Sequence, residues 1–514
     1  MDKKYLIGVD LGTTTIKAVF LDAEENRIVT TQTEEIFPVK TDNPDDIEFD
    51  PQEWWECTKR ILVRGFDQGV NPQQVAGICF GGFTVMSLLV KADGMPVTNC
   101  IHYNDMRHLS VLDEMQELIG DLAIERNRNY IGMYSSSVKQ YWWKKNKPEI
   151  FVQTDLIATE VSWVNFKLTG KWAFNRTEAG FYSQYNAHQH EWDDEIINKM
   201  GFSHSMFPKL VDAWEIMGNV TVDAAMETGL EEGTPVFGGV DDASPVAIAT
   251  GVITKGQGYV SAGSGGNIAA NTGNPICHET LITYPHCIPG LNSAITVMST
   301  TGLSYKWMRN IFGQAEAAVA ALTGEDTYTY LNQQAETASA GARGVIFLPY
   351  LDGDYTPNND AQARGVFIGM DTATTKADML RATLEGVAFC ILDNMMLIRE
   401  LGGEINDIVL TGGVAKSPLW LQIIADVTGC SVSLPEETEG APFGSAIVAG
   451  VGAGLFSSYE EAIKRVVKIE KNAFVPDEKN HEIYSELYKV YKSLYPSLKA
   501  SFAEMADIRK KYNL

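Results

Sequence analysis

No run of about 18 uninterrupted apolar residues occurs in the 514-residue chain, and its first ten residues, MDKKYLIGVD, lack the apolar stretch and small-residue cleavage site of a signal peptide. The expectation is a cytoplasmic protein without a membrane partner. Basic residues are also in short supply. There are 41 Lys and Arg against 66 Asp and Glu, a net charge of -25, which argues against the basic face that a nucleic-acid partner requires. Such an excess does not exclude a small anionic ligand, because a glycine loop or helix N-terminus holds phosphate locally. The seven cysteines are scattered, with no CxxC or other metal-ligand spacing, and read as reduced thiols. No GxGxxG stands between a strand and a helix, so a dinucleotide-dependent dehydrogenase loses ground.

What is present is the make-up of an ordered globular protein, 45% hydrophobic and 21% charged, on a chain long enough for two or more cores. Strand-like runs alternate with amphipathic helical ones, which indicates an α/β class. Residues 5–22, YLIGVDLGTTTIKAVFLD, begin as a buried strand, break at Asp10 and Gly12, pass three threonines and return to strand. The turn of such a hairpin offers backbone N–H and threonine O–H donors together, as a phosphate needs. Asp10 adds a carboxylate able to hold a hard cation, largely through water. A plain β-turn explains this stretch equally well when it stands alone.

A second start at residues 256–272, GQGYVSAGSGGNIAANT, repeats the pattern. Two donor-rich turns, one from each half, could clamp a polyphosphate across a cleft between domains. Between them GTPVFGGVDDASPVAIATG reads as a strand, a Gly-Gly turn and a small-residue helix. The domain boundary is placed after it, giving domains 1–254 and 255–514. A third glycine turn, LTGGVAKSPLW at 410–420, follows a strand and precedes a helix, where a flat ligand can approach the backbone.

In this order the motifs resemble those of the FGGY carbohydrate kinases over essentially the whole chain. IGVDLGTTTIKAVFLD is similar to that family's first phosphate loop, AGSGG to its second, and FGGVDDASPVAIATG to the segment carrying its catalytic aspartate. The resemblance implies an actin-like ATPase fold of two RNase H-like lobes, with ATP and sugar meeting in the cleft. It further implies Mg2+-ATP-dependent phosphorylation of a sugar or polyol hydroxyl, and a homodimer as the usual assembly.

Carried over by residue, the resemblance makes Asp241 the general base and Asp242 a contact to a substrate hydroxyl. It assigns Asp10 to Mg2+, and Thr13, Thr14, Gly263 and Ser264 to the phosphates. Gly302, Gly412, Gly413 and Ser417 fall to the nucleotide. The region that chooses the substrate departs from the xylulose kinase pattern, since GICFGGFTVMSLLV has no Gly-Gln-Met-His. Phe83 and Thr84, with Asp105 of HYNDMR, are the candidates there. Trp142 and Trp143 are sugar-stacking or, more often for such a helix, packing residues. The expected acceptor is a ketopentose or related polyol, xylulose leading, with ribulose, erythritol and gluconate as alternatives. The rival from another class is an actin-like switch ATPase that phosphorylates no sugar.

Overall fold

The computed structural model describes residues 3–43 and 46–513, and it builds them around two seven-stranded sheets. In the first, strand Tyr5–Leu11 lies antiparallel to Thr15–Asp22 and parallel to Val75–Gly82. Thr15–Asp22 then pairs antiparallel with Arg27–Glu35, and Val75–Gly82 pairs parallel with both Pro235–Phe237 and Val240–Asp241. The second sheet repeats the scheme. Gly258–Ala262 is antiparallel to Gly266–Thr272 and parallel to Ile408–Thr411, while Gly266–Thr272 continues antiparallel into Asn292–Met298. One hairpin with a parallel strand on one flank and an antiparallel strand on the other occurs in each half, the duplicated arrangement expected of an actin-like fold.

Local chemistry sets these elements. The central strands are apolar on both faces because helices cover both, as parallel strands require. Helix Pro51–Asp67 starts where Asp50 accepts from the Gln52 N–H and Pro51 supplies a preset φ; it buries Trp54, Trp55, Ile61 and Leu62 against the first sheet. The 25-residue helix Lys376–Glu400 opens on a reciprocal cap between Thr375 and Asp378 and runs through the core of the second lobe.

Helix Ala441–Gly452, late in the chain, packs back on the first sheet. Its small residues permit this: a Cβ on Gly8 would fall inside the Pro442 carbonyl, and one on Gly444 inside the Pro245 carbonyl. Phe443, Ile447 and Phe456 thereby join Leu6, Phe237 and Ile248 in one buried cluster. A chain segment from beyond residue 254 thus completes the core of the first lobe.

All seven cysteines are free thiols, six of them buried. Among the described residues no helix is long and apolar enough to cross a membrane.

Candidate active site

Two cavities border the second hairpin, and the first hairpin contributes Asp10 to one of them. The larger, about 580 Å³, is lined by Gly263, Ser264, Gly302, Gly413 and Ser417, together with Tyr305, Lys306 and Tyr328. The other, about 530 Å³, takes Asp10, Phe83, Thr84 and Asp242 from the first lobe and Tyr259, Ser261 and Asn267 from the second. Asp10 and Asn267, from strands of the two different sheets, thus border one cavity.

The second hairpin's turn is held from one side only. The N–H groups of Thr301, Gly302 and Leu303 donate to the carbonyls of Ser264, Gly263 and Ser264, at 2.9, 2.9 and 3.0 Å. The Thr301 hydroxyl donates to Gly263 O at 2.9 Å and Gly265 O at 2.7 Å. A trans peptide points its N–H opposite its C=O, so the amides of Ser264 and Gly265 face away from Thr301. This leaves donors free for an anion. Gly302 is needed for that approach, since a Cβ there would collide with the Gly263 carbonyl.

The two glycines of LTGG serve different ends. Gly412 has φ +93° and would place a Cβ 2.6 Å from Ala262 O, so it lets the strand end dock on the hairpin. Gly413 has nothing within 4 Å of its Cβ position and borders the larger cavity. Ser417 caps helix Pro418–Thr428 by accepting from Trp420 N at 3.3 Å.

In the first hairpin, Gly12 donates its N–H to Thr15 O at 3.1 Å and tolerates no Cβ, which would stand 2.6 Å from that oxygen. Thr14 is exposed at the turn, and Thr13 is half-buried and meets Tyr103. The half-buried Asp10 carboxyl accepts no hydrogen bond among the described residues. Burial pushes it up to about 6, against the pull of Lys17, which is itself paired with Glu439 at 3.1 Å.

The adjacent acids part company. Asp241 ends strand Val240–Asp241 and is wholly buried; its Oδ1 accepts from the N–H groups of Ala243 and Ser244, each at 2.8 Å. That caps helix Ala243–Ala249 with one oxygen, while Oδ2, the other, is buried and has no partner among the described residues. Asp242 is exposed to the cavity and makes no side-chain cap bond. The cavity walls strip water from its carboxyl and push it up to about 8, with the like charges of Asp241 and Asp10 adding to the effect.

Asp105 borders neither of these two cavities. It is fully buried, pairs with Arg107 at 2.7 Å and accepts from Ile47 N at 2.8 Å. Arg107 also reaches Glu48 at 2.8 Å, so this carboxylate fastens the 46–48 segment and does not reach a ligand. Trp143 is buried in the core, and Trp142 lies beneath the Arg107 guanidinium at 5.5 Å, so both are packing residues. Tyr103 and Tyr134 line the smaller cavity without having been singled out. Tyr103 stands in the HYNDMR stretch beside Asp105, whereas nothing local marks Tyr134 among the 20 tyrosines.

Comparison with known proteins agrees with this fold. The chain is 29% identical over 513 residues to a xylulose kinase of Staphylococcus epidermidis, covering 99% of this chain and all of that one. It is 28% identical over 505 residues to an autoinducer-2 kinase of Escherichia coli, covering 96% and 94%. The crystal structure of xylulose kinase from Rhodospirillum rubrum superposes with a TM-score of 0.89 at 25% identity, covering 97% of this chain and 100% of that one. Residues 5–249 match the N-terminal domain, and residues 258–453 the C-terminal domain, of the FGGY family of carbohydrate kinases, to which the chain therefore belongs.

Proposed function

We propose that this kinase transfers the γ-phosphate of ATP to a hydroxyl of a neutral ketose or polyol, with Asp242 as the general base. The observation that carries this reading is Asp242 itself, the carboxyl that enters the smaller cavity, whereas Asp241 lies buried behind it with Oδ1 committed to the helix cap and Oδ2 unpartnered. An acceptor hydroxyl loses its proton as it attacks phosphorus, and a positioned carboxylate takes that proton. Xylulose, the acceptor named for several relatives, is the reference substrate. Gly263, Ser264 and Gly302 are assigned to the phosphates, and Gly413 and Ser417 to the adenosine end.

The residues present fit a magnesium ion. Asp10 offers an unpartnered carboxyl beside the cavity, and no group of three or more ligating side chains surrounds it among the described residues, which suits a cation held mainly by water and phosphate oxygens. When bound, such an ion neutralises charge on the transferring phosphoryl group. Thr13 and Thr14 are placed to border the same phosphates, and closure of the two lobes would exclude water from them.

The test is ADP release with Mg-ATP on addition of D-xylulose, L-xylulose, D-ribulose, erythritol and D-gluconate. Stimulation by one neutral acceptor, abolished in Asp242→Asn, is expected. ATP hydrolysis indifferent to every sugar would instead support a switch ATPase.

A further inference from the structure

The smaller cavity carries information about its ligand beyond the reading above, on which this inference rests. Among the described residues that line it, the only charged side chains are the carboxyls of Asp10 and Asp242; no Lys, Arg or His joins them. An acceptor bearing its own carboxylate would enter a site with two acids and no protein cation to pair with it.

The second lobe's share of the wall is apolar in a defined way. Ile282 and Ile295 are direct partners in the antiparallel pairing of strands Leu281–Pro285 and Asn292–Met298, and Val297 lies two residues along on the same face. The three form one continuous branched-aliphatic strip. Phe181 and Val85 from the first lobe border the same cavity, and Phe181 is fixed against Tyr284 at a ring distance of 4.6 Å. Hydrogen-bonding capacity comes from elsewhere: Asn267 Oδ1 has no partner in the folded chain, and Thr84 and Ser261 offer hydroxyls.

A ligand that fits is divided in the same way. Its hydroxyls meet Asp242, Asn267 and Ser261, while a hydroxyl laid on the Ile282–Ile295–Val297 strip would lose water and find no partner. A hydrogen or methyl at that place gains contact. The geometry points to an acceptor that is neutral and has an apolar terminus: a deoxy, methyl-ended ketose, bound with its methyl group on this strip. Sugar acids are turned away by charge, and fully hydroxylated ketoses are handled less well.

Matched pairs test this with the full-length protein and Mg-ATP: 1-deoxy-D-xylulose against D-xylulose, and 1-deoxy-D-fructose against D-fructose, with D-gluconate alongside. In each pair the distal hydroxyls remain free to be phosphorylated. The expected result is a kcat/KM at least tenfold higher for one deoxy compound than for its parent, and no turnover of gluconate. Val297→Thr, which exchanges a methyl for a hydroxyl at nearly constant volume, should cut that ratio at least threefold; simple structural damage would lower both members together. A parent ketose equal to or better than its deoxy partner, or efficient use of gluconate, overturns the inference and leaves the kinase reading standing. Absence of phosphorylation of every compound overturns both.

Discussion

Asp242→Asn and Asp241→Ala should fail in different ways, although the two residues are adjacent. Asp242 faces the cavity and makes no side-chain cap bond to the helix, so its amide variant should fold as the parent does. A positioned general base contributes about 10²- to 10⁴-fold, so kcat should fall by that factor, roughly 3–5 kcal/mol of barrier. Asp241→Ala removes the acceptor for two buried N–H groups at 2.8 Å each. Leaving them unpaired costs on the order of 1–3 kcal/mol of stability, with a kcat loss of about tenfold or less through a displaced helix start.

The pH profile gives a second handle on the same group. Only the ionised carboxylate accepts a proton, and the Asp242 carboxyl stands at about 8 in the open cavity. At limiting Mg-ATP, kcat/KM for the acceptor should therefore climb about tenfold per pH unit below that value and level off above it. Coupled ADP release read beside thermal melts checks all of this. The reasoning is refuted if Asp242→Asn keeps more than about a tenth of kcat, or if Asp241→Ala matches its loss while melting at the parental temperature.

Three further outcomes follow from the packing. Gly413→Ala should leave the melting temperature unchanged and raise the KM for ATP, because its Cβ enters open cavity; Gly412→Ala, at φ +93° and 2.6 Å from Ala262 O, should lower the melting temperature instead. Gly82→Ala should destabilise the fold, since its Cβ would collide with the buried Glu160 carboxyl and with Val161 Cγ2, and Glu160→Ala introduced with it should recover only part of the loss in a denaturant titration. Lys139→Met should stabilise the protein at pH 7 by an amount that shrinks as the pH rises above 8.

The first hairpin, its repeat in the second half and the glycine turn at 412 and 413 were legible in the sequence because each is a local pattern in which strand, glycine and hydroxyl residues stand together. The α/β class followed from the same alternation. Which of the two adjacent acids is buried and which borders the cavity was not legible. It depends on which acid ends the strand and turns into the layer of Thr177, and that is set by pairing with Gly82, over 150 positions away. Asp105 is fixed partly by Arg107, two residues on in the same stretch, and partly by Ile47, which only the fold brings close. The return of helix Ala441–Gly452 to the first lobe left a trace in its run of small residues, but small residues announce a close approach without naming the neighbour.

Lys139 shows how the same fold tolerates charge where no chemistry uses it. Its ammonium is fully buried and has no hydrogen-bond partner among the described residues, and burial draws it down to about 8 from 10.5. His102 and His108 nearby are each held at about 4, by burial first and by Lys139 second, so they stay neutral and add no positive charge. Asp105 and Cys100 are the groups of opposite tendency facing it. The unfolded lysine keeps its proton up to about 10.5, so between about 8 and that value the unfolded chain binds more protons than the native one. Native stability therefore rises with pH across this window, and the cost is fully present below about 8. The shift corresponds to roughly 3 kcal/mol, which Lys139→Met should recover at pH 7 and progressively lose above pH 8. Chemical denaturation of both proteins at pH 7 and pH 10 measures the gap directly. A gap that stays constant or widens with pH would mean that the ammonium finds a partner in the native protein.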